Sequence, residues 1–176
     1  DETDIDNWKE VDATLTRSRE WSSQGKFSGK VIFRSAQIYP NIYINSLDGD
    51  YGSCDWSSYD KLLIDVYNPN EEDAPFTVAL LNGARPYAVG EQQYRGFEYG
   101  IPSKNKQTIE IPISLIEKRP GEPDLDIKDI SSLTIISKQP ETGGKDRVLY
   151  IDNIRLAIEQ GAVKEDKPIP IVEKKV

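Results

Sequence analysis

From Lys61 to Tyr67 the chain alternates: Leu62, Ile64 and Val66 fall on one side, and Lys61, Asp65 and Tyr67 on the other. Leu63 is the one apolar exception. Successive side chains of a β-strand leave the backbone on opposite faces, so this pattern predicts a strand with a core face and a second face of different chemistry. Asp55-Trp56-Ser57-Ser58-Tyr59 leads into it, and Asn68-Pro69-Asn70 stops it. Proline has no N–H to give a ladder, and Asn favours turns. Similar runs recur at Val11 to Arg19, Gly29 to Phe33, Asn41 to Leu47, Phe76 to Leu81, Phe97 to Ile101, Thr108 to Ile113, Leu133 to Ser137 and Val148 to Leu156. About nine short strands separated by Gly, Pro, Asn and Asp predict an all-β, two-sheet antiparallel sandwich. Helix signals are sparse: Ile113 to Lys118, closed by Pro120-Gly121, predicts one short turn, and Ile127 to Ile130 another.

A length of 176 residues fits one domain with a real core. Residues 1–158 carry the strand pattern, whereas residues 159–176 turn to Lys, Glu, Pro and Val around Pro168-Ile169-Pro170. That composition reads as an extended tail or linker, open between a tether to further domains and a frayed end. The chain contains no Met, which points to a processed protein or a piece of a longer one.

Charge and missing residue types narrow the chemistry. The balance of 22 Lys and Arg against 30 Asp and Glu gives −8, a field that opposes nucleic acid and anionic membranes. No apolar run is long enough to span a bilayer. The absence of His removes imidazole-dependent serine and cysteine triads, the usual general base and the usual zinc ligand. Cys54 stands alone in a Gly-Ser-Cys-Asp turn and reads as a loop residue.

Several segments, in order, resemble the jelly-roll carbohydrate-binding modules of the galactose-binding-like superfamily, family 11 in particular. They are Asp55 to Tyr59 running into Leu62-Leu63-Ile64-Asp65-Val66; Gln107-Thr108-Ile109-Glu110-Ile111-Pro112-Ile113; Asp126 to Leu133; and Leu149-Tyr150-Ile151-Asp152-Asn153-Ile154-Arg155-Leu156. Trp8 and the segment Gln24 to Val31 stand where such modules have an N-W pair and a G-K-x-S-x-K-V strand. The likeness spans Asp4 to Ile158. It implies a non-catalytic polysaccharide- or oligosaccharide-binding module of a larger extracellular, cell-surface or periplasmic protein, with a neutral glycan as partner.

The resemblance also implies site residues. Tyr39 falls where these modules place a binding tyrosine. Tyr43, Asp65 and Tyr67 stand on non-core faces of their strands, and Arg85, Tyr87, Tyr94 and Arg95 belong to a long excursion rich in Tyr, Arg and Gln. Tyr and Trp stack on the C–H face of a pyranose, while planar polar groups hold its hydroxyls. The family's further tyrosine is replaced here by Ile135-Ile136-Ser137, a departure from its β-glucan set. Modules of this type commonly carry a structural Ca²⁺ on hard oxygen ligands. The matching positions are Glu2 or Asp4, Asp152, and carbonyls around Gln24 and Lys26; alternatively Asp152 hydrogen-bonds the N-terminal strand without metal. Asp48-Gly49-Asp50 lacks an EF-hand's downstream carboxylate and reads as a turn. Trp8 and Trp56 read as structural, and Trp21 stays open.

Two rivals remain. One is a structural or protein-interaction β-sandwich without a sugar ligand. The other is a glycoside hydrolase using paired carboxylates across a cleft, for which the E-x-D-x-x-E strand of jelly-roll glucanases is absent.

Overall fold

Among the described residues, alternation of β-favouring residues with turn chemistry produces ten strands and one short helix. The computed structural model describes residues 5–45, 55–82, 94–138 and 144–159. In chain order the elements are β1 (Lys9–Val11), β2 (Ala13–Ser18), β3 (Ser28–Phe33), β4 (Asn41–Asn45), β5 (Lys61–Tyr67), β6 (Ala74–Leu81), β7 (Tyr94–Ile101), β8 (Lys106–Pro112), α1 (Ile113–Glu117), β9 (Ser132–Ile136) and β10 (Arg147–Ala157). They form two five-stranded sheets. The first has the order β1-β4-β9-β6-β7, the second β2-β3-β10-β5-β8, and the assigned pairings are antiparallel. This is the all-β sandwich the pattern predicts.

Two local expectations change. The run expected from Val11 to Arg19 is broken at Asp12, whose φ of 51° is left-handed, a conformation that Asp tolerates better than most residues. The break puts β1 in the first sheet and β2 in the second. Ile127 to Ile130 forms a turn closed by Asp129 N–H to the Asp126 carbonyl at 3.1 Å, not a helix.

The inner faces meet over Phe33, Ile42, Leu62, Ile64, Val78 and Ile135, each at most 2% exposed. Burying one such side chain contributes about 1.5–3 kcal/mol. Leu62, Ile64 and Val66 therefore hold β5 as a central strand between β10 and β8.

The stop after β5 is structural in detail. Asn68 is fully buried, and its amide donates to the Ile101 carbonyl at 2.8 Å and the Glu72 carbonyl at 2.9 Å. Asn70 reaches across to β10, accepting from Val148 N–H at 3.1 Å and donating to its carbonyl at 2.7 Å. A side-chain amide thus completes the ladder where the backbone has turned away.

β10 serves two neighbours. Arg147–Ile151 pairs with β3, and Tyr150–Ala157 pairs with β5 across a register break between Asp152 and Arg155. Asn153, at φ 48°, is the bulged residue. Leu149 and Ile151 face the core before the break, and Ile154 and Leu156 pack against it afterwards. Among the described residues no helix is long and apolar enough to cross a membrane.

Candidate functional site

Because the core takes Ile42, Ile44, Val78, Leu80, Leu133 and Ile135, their neighbours in sequence form the outer face of the first sheet. Strand register aligns that face in rows: Asn41, Ile136, Thr77 and Glu98; then Tyr43, Thr134, Ala79 and Gly96; then Asn45, Ser132, Leu81 and Tyr94. A groove of about 510 Å³ lies here, over Thr77, Gly96, Glu98 and Ile136. Tyr39, Tyr94, Arg119, Glu122 and Lys138 border it. Tyr39 is 60% exposed and Tyr94 49%, an unusual display of aromatic surface on a sheet face. The Tyr94 ring folds back over Gly96, where a Cβ would come within 2.6 Å of its hydroxyl.

The polar border is built from below. Arg95 points into the sandwich beside Phe97 and Tyr99 and is 1% exposed. Its Nε donates to the Ile116 carbonyl at 3.1 Å, Nη2 to the Pro123 carbonyl at 2.7 Å and Nη1 to Glu122 Oε2 at 2.5 Å. A buried guanidinium needs every donor satisfied, and here it fastens the segment after α1 to β7. Glu122 Oε1 accepts in turn from Arg119 Nη1 at 3.1 Å. Arg119 Nη2 donates to the Gly96 carbonyl at 2.9 Å, and its guanidinium lies 4.6 Å from the centre of the Phe97 ring. Arg119 therefore presents a planar donor group of fixed orientation at the groove edge.

The residues singled out in the sequence do not form one site. Tyr39 and Tyr94 share this groove. Tyr43 lies on the same face but is buried. Arg95 is a correction: its expected place in an open excursion gives way to the interior, because alternation along β7 puts it on the inner side with Phe97. Arg85 and Tyr87 lie outside the described residues, as do Glu2, Asp4, Cys54 and Asp48 to Asp50. Asp65 and Tyr67 stand on the outer face of the second sheet, across the whole core from the groove.

Asp65 is only 8% exposed and works as a hub. Oδ1 accepts from Thr108 Oγ at 2.7 Å; Oδ2 accepts from Ser23 Oγ at 2.8 Å, Asn153 Nδ2 at 2.9 Å and Arg155 Nη1 at 3.3 Å. Burial pushes its carboxyl up, but these donors and the Arg155 charge outweigh burial and hold it below the usual carboxylate range. Tyr67 stacks with Tyr150 at 5.8 Å and packs beside Trp21 at 5.8 Å. Tyr150 donates to Glu20, which Lys30 also holds at 2.9 Å. Both bonds, led by that from Tyr150, pull the Glu20 carboxyl down.

Asp152, the expected calcium ligand, is 2% exposed. Its Oδ2 accepts Ser23 N–H at 2.7 Å and Gln24 N–H at 3.0 Å and shares with Asp65 the one hydrogen of Ser23 Oγ, 3.0 Å away, while Oδ1 accepts Asn153 N–H at 2.9 Å. Donor hydrogens fill the places a cation would take, and no group of three acidic or thiol side chains converges among the described residues. As arranged, the Ser23 and Gln24 N–H groups hold the Asp152 carboxylate, and Glu2 and Asp4, the further carboxylates expected beside it, lie outside the described residues.

Arg119, Glu122 and Lys138 complete the groove with Glu98 without having been picked out as binding residues. The signal available for Arg119 and Glu122 was their crowding around Pro120-Gly121, just past a short helix.

No protein-family model and no curated protein matches this chain. Solved structures do. A family 11 carbohydrate-binding module from Clostridium thermocellum, in complex with a β-1,3-1,4-mixed-linked tetrasaccharide, superposes with a TM-score of 0.61 at 18% identity, covering 90% of this chain and 93% of that one. A family 30 carbohydrate-binding module of a cellulosomal cellulase from the same organism gives 0.61 at 13% identity, with 88% of each covered. An exo-β-agarase gives 0.64 at 14% identity over 92% of this chain. The chain spans only 24% of that enzyme. What the sequence motifs suggested in pieces, the superpositions show over nearly the whole chain: this protein has the β-sandwich jelly-roll fold of family 11 and family 30 carbohydrate-binding modules.

Proposed function

We propose that the chain is a non-catalytic carbohydrate-binding module whose ligand lies in the groove on the outer face of the first sheet. The observation that carries this is the pairing of exposed Tyr39 and Tyr94 with the fixed guanidinium of Arg119 over an open sheet face. Aromatic rings accept the C–H face of a sugar, and a planar donor selects its hydroxyls. The superposed family 11 module is itself bound to a mixed-linked tetrasaccharide, which supports a neutral glycan here.

Glu122 in the groove supports binding over hydrolysis. A glycosidase needs one carboxyl to hand a proton to the leaving oxygen. Both oxygens of Glu122 are taken by guanidinium donors, which leaves neither placed for that work. The match to a quarter of an agarase supports an ancillary module linked to further domains, in a protein that meets polysaccharide outside the cell or at its surface.

Affinity electrophoresis and calorimetry with a mixed-linked β-glucan tetrasaccharide, agaro-oligosaccharides and xylohexaose test the reading. Binding to at least one, weakened about fivefold to tenfold by Tyr39→Ala or Tyr94→Ala, supports it. Absence of binding to any of them, or release of reducing sugar, overturns it.

A further inference from the structure

The outer face of the second sheet has a cleft of its own, across the core from the groove. It holds about 340 Å³, within the size range of small-ligand sites. The segment Trp21 to Ser23 forms one side and Lys106 to Thr108 on edge strand β8 the other, with Asp65 and Val66 as floor. Trp21 is braced rather than loose: its ring lies 5.8 Å from Tyr67 and 6.5 Å from Tyr150, and it stays half-buried.

The hydrogen-bond accounting of the cleft is specific. Thr108 spends its hydroxyl hydrogen on Asp65 and Ser23 shares its one hydrogen between Asp65 and Asp152, so the lone pairs left over make them acceptors toward the cleft. Asp65 already has four donors and offers no open carboxylate. Lys30 and Lys61 on the same face are ion-paired with Glu20 and Glu110, whereas the Lys106 ammonium, the Gln107 amide and the Trp21 indole N–H have no partner among the described residues. An aromatic wall, acceptors on the floor and spare donors on the rim match a molecule with an apolar ring face and many hydroxyls. A flat apolar protein surface would leave those polar groups stranded.

We propose that this cleft is a second saccharide site, in which one sugar unit lies on the Trp21 indole and its hydroxyls reach Ser23, Thr108 and Lys106. It extends the glycan-binding reading but is physically separate from the groove, so the chain could hold two glycan strands on opposite faces.

The test uses the full chain and the same three oligosaccharides, with the Trp21 indole N–H resonance assigned through Trp21→Phe. In a Tyr39→Ala/Tyr94→Ala background, residual binding should persist and shift that resonance. Trp21→Ala or Lys106→Ala should then weaken the residue by about fivefold to tenfold. Lys106→Ala covers the case in which Trp21→Ala disturbs packing. An unmoved indole signal with every probe, or complete loss of binding in the groove variant alone, overturns the second site and leaves the groove standing. Binding abolished by Trp21→Ala but indifferent to Tyr39 and Tyr94 overturns the groove and leaves the cleft. A cleft that instead captures only protein overturns the saccharide assignment.

Discussion

The ring of Tyr94 rests on Gly96, two positions along the same edge strand, with the space of the missing Cβ taken by the tyrosine hydroxyl. The glycine is what lets the ring lie against the sheet. Gly96→Ala should therefore swing Tyr94 away, since the far end of a side chain moves more easily than backbone. Glycan affinity should fall about fivefold, while stability changes by less than about 1 kcal/mol, the ordinary cost at a solvent-facing position. Calorimetric titration alongside thermal melts separates the two; a melt that collapses would mean that Gly96 serves the backbone.

Arg95 organises the other border of the groove. Arg95→Met leaves Glu122 Oε2 and the Ile116 and Pro123 carbonyls without their donor, which should cost about 2–3 kcal/mol. Arg95→Lys keeps a charge but loses the fork, and should weaken glycan binding by misplacing Arg119. In an Arg119→Ala background that second effect should vanish while the fall in melting temperature stays. Additive losses of affinity would show that Arg95 acts on stability alone.

Asp65 makes the sandwich acid-sensitive. Its folded pKa lies below the unfolded value of about 3.9, so its stabilisation is complete above that value and fades as pH falls through the folded pKa. Asp65→Asn should cost about 2–3 kcal/mol at neutral pH, because an amide N–H₂ then faces donors. The gap between wild type and variant should shrink below about pH 4. A gap that stays constant from pH 7 to pH 3 would assign the loss to packing.

Thr134 runs against the usual rule. It is fully buried in β9, and its hydroxyl oxygen has no hydrogen-bond partner among the described residues. Removing an orphaned buried hydroxyl while keeping its shape relieves desolvation, so Thr134→Val should raise stability by about 1 kcal/mol and the melting temperature by about 2–4 °C. A lower melting temperature would mean that the hydroxyl finds a bridging water.

Asp152 tests the metal expectation directly. With Ser23 and Gln24 N–H groups bonded to its carboxylate, EDTA should leave the melting temperature unchanged, while Asp152→Ala should lower it by about 5–10 °C, the equivalent of about 2–3 kcal/mol. A drop on chelation would restore calcium through ligation of the native state.

Period-two patterning made the sandwich legible, because a strand's inner and outer faces are written in its alternation. Leu62, Ile64 and Val66 are core for that reason. The same alternation does not say which sheet a strand joins, so Tyr39 and Tyr94 could not be told from Asp65 and Tyr67 as members of opposite surfaces. Long-range pairing decides it. Arg95 could have been placed, since Phe97 and Tyr99 share its phase; its charge argued for the outside, and the satisfied guanidinium explains why that rule fails. Arg119 and Glu122 sit where no period runs, and their role comes from contacts with β7 alone.

The bulge at Asn153 has a consequence for how this chain tolerates change in length. Up to Ile151 the odd positions of β10 face the core; from Ile154 onward the even ones pack against it. One surplus residue corrects the phase. Inserting one more beside it would turn Ile154 and Leu156 toward solvent and Arg155 toward the core, although no residue type had changed. The closing strand is therefore more sensitive to arithmetic than to chemistry.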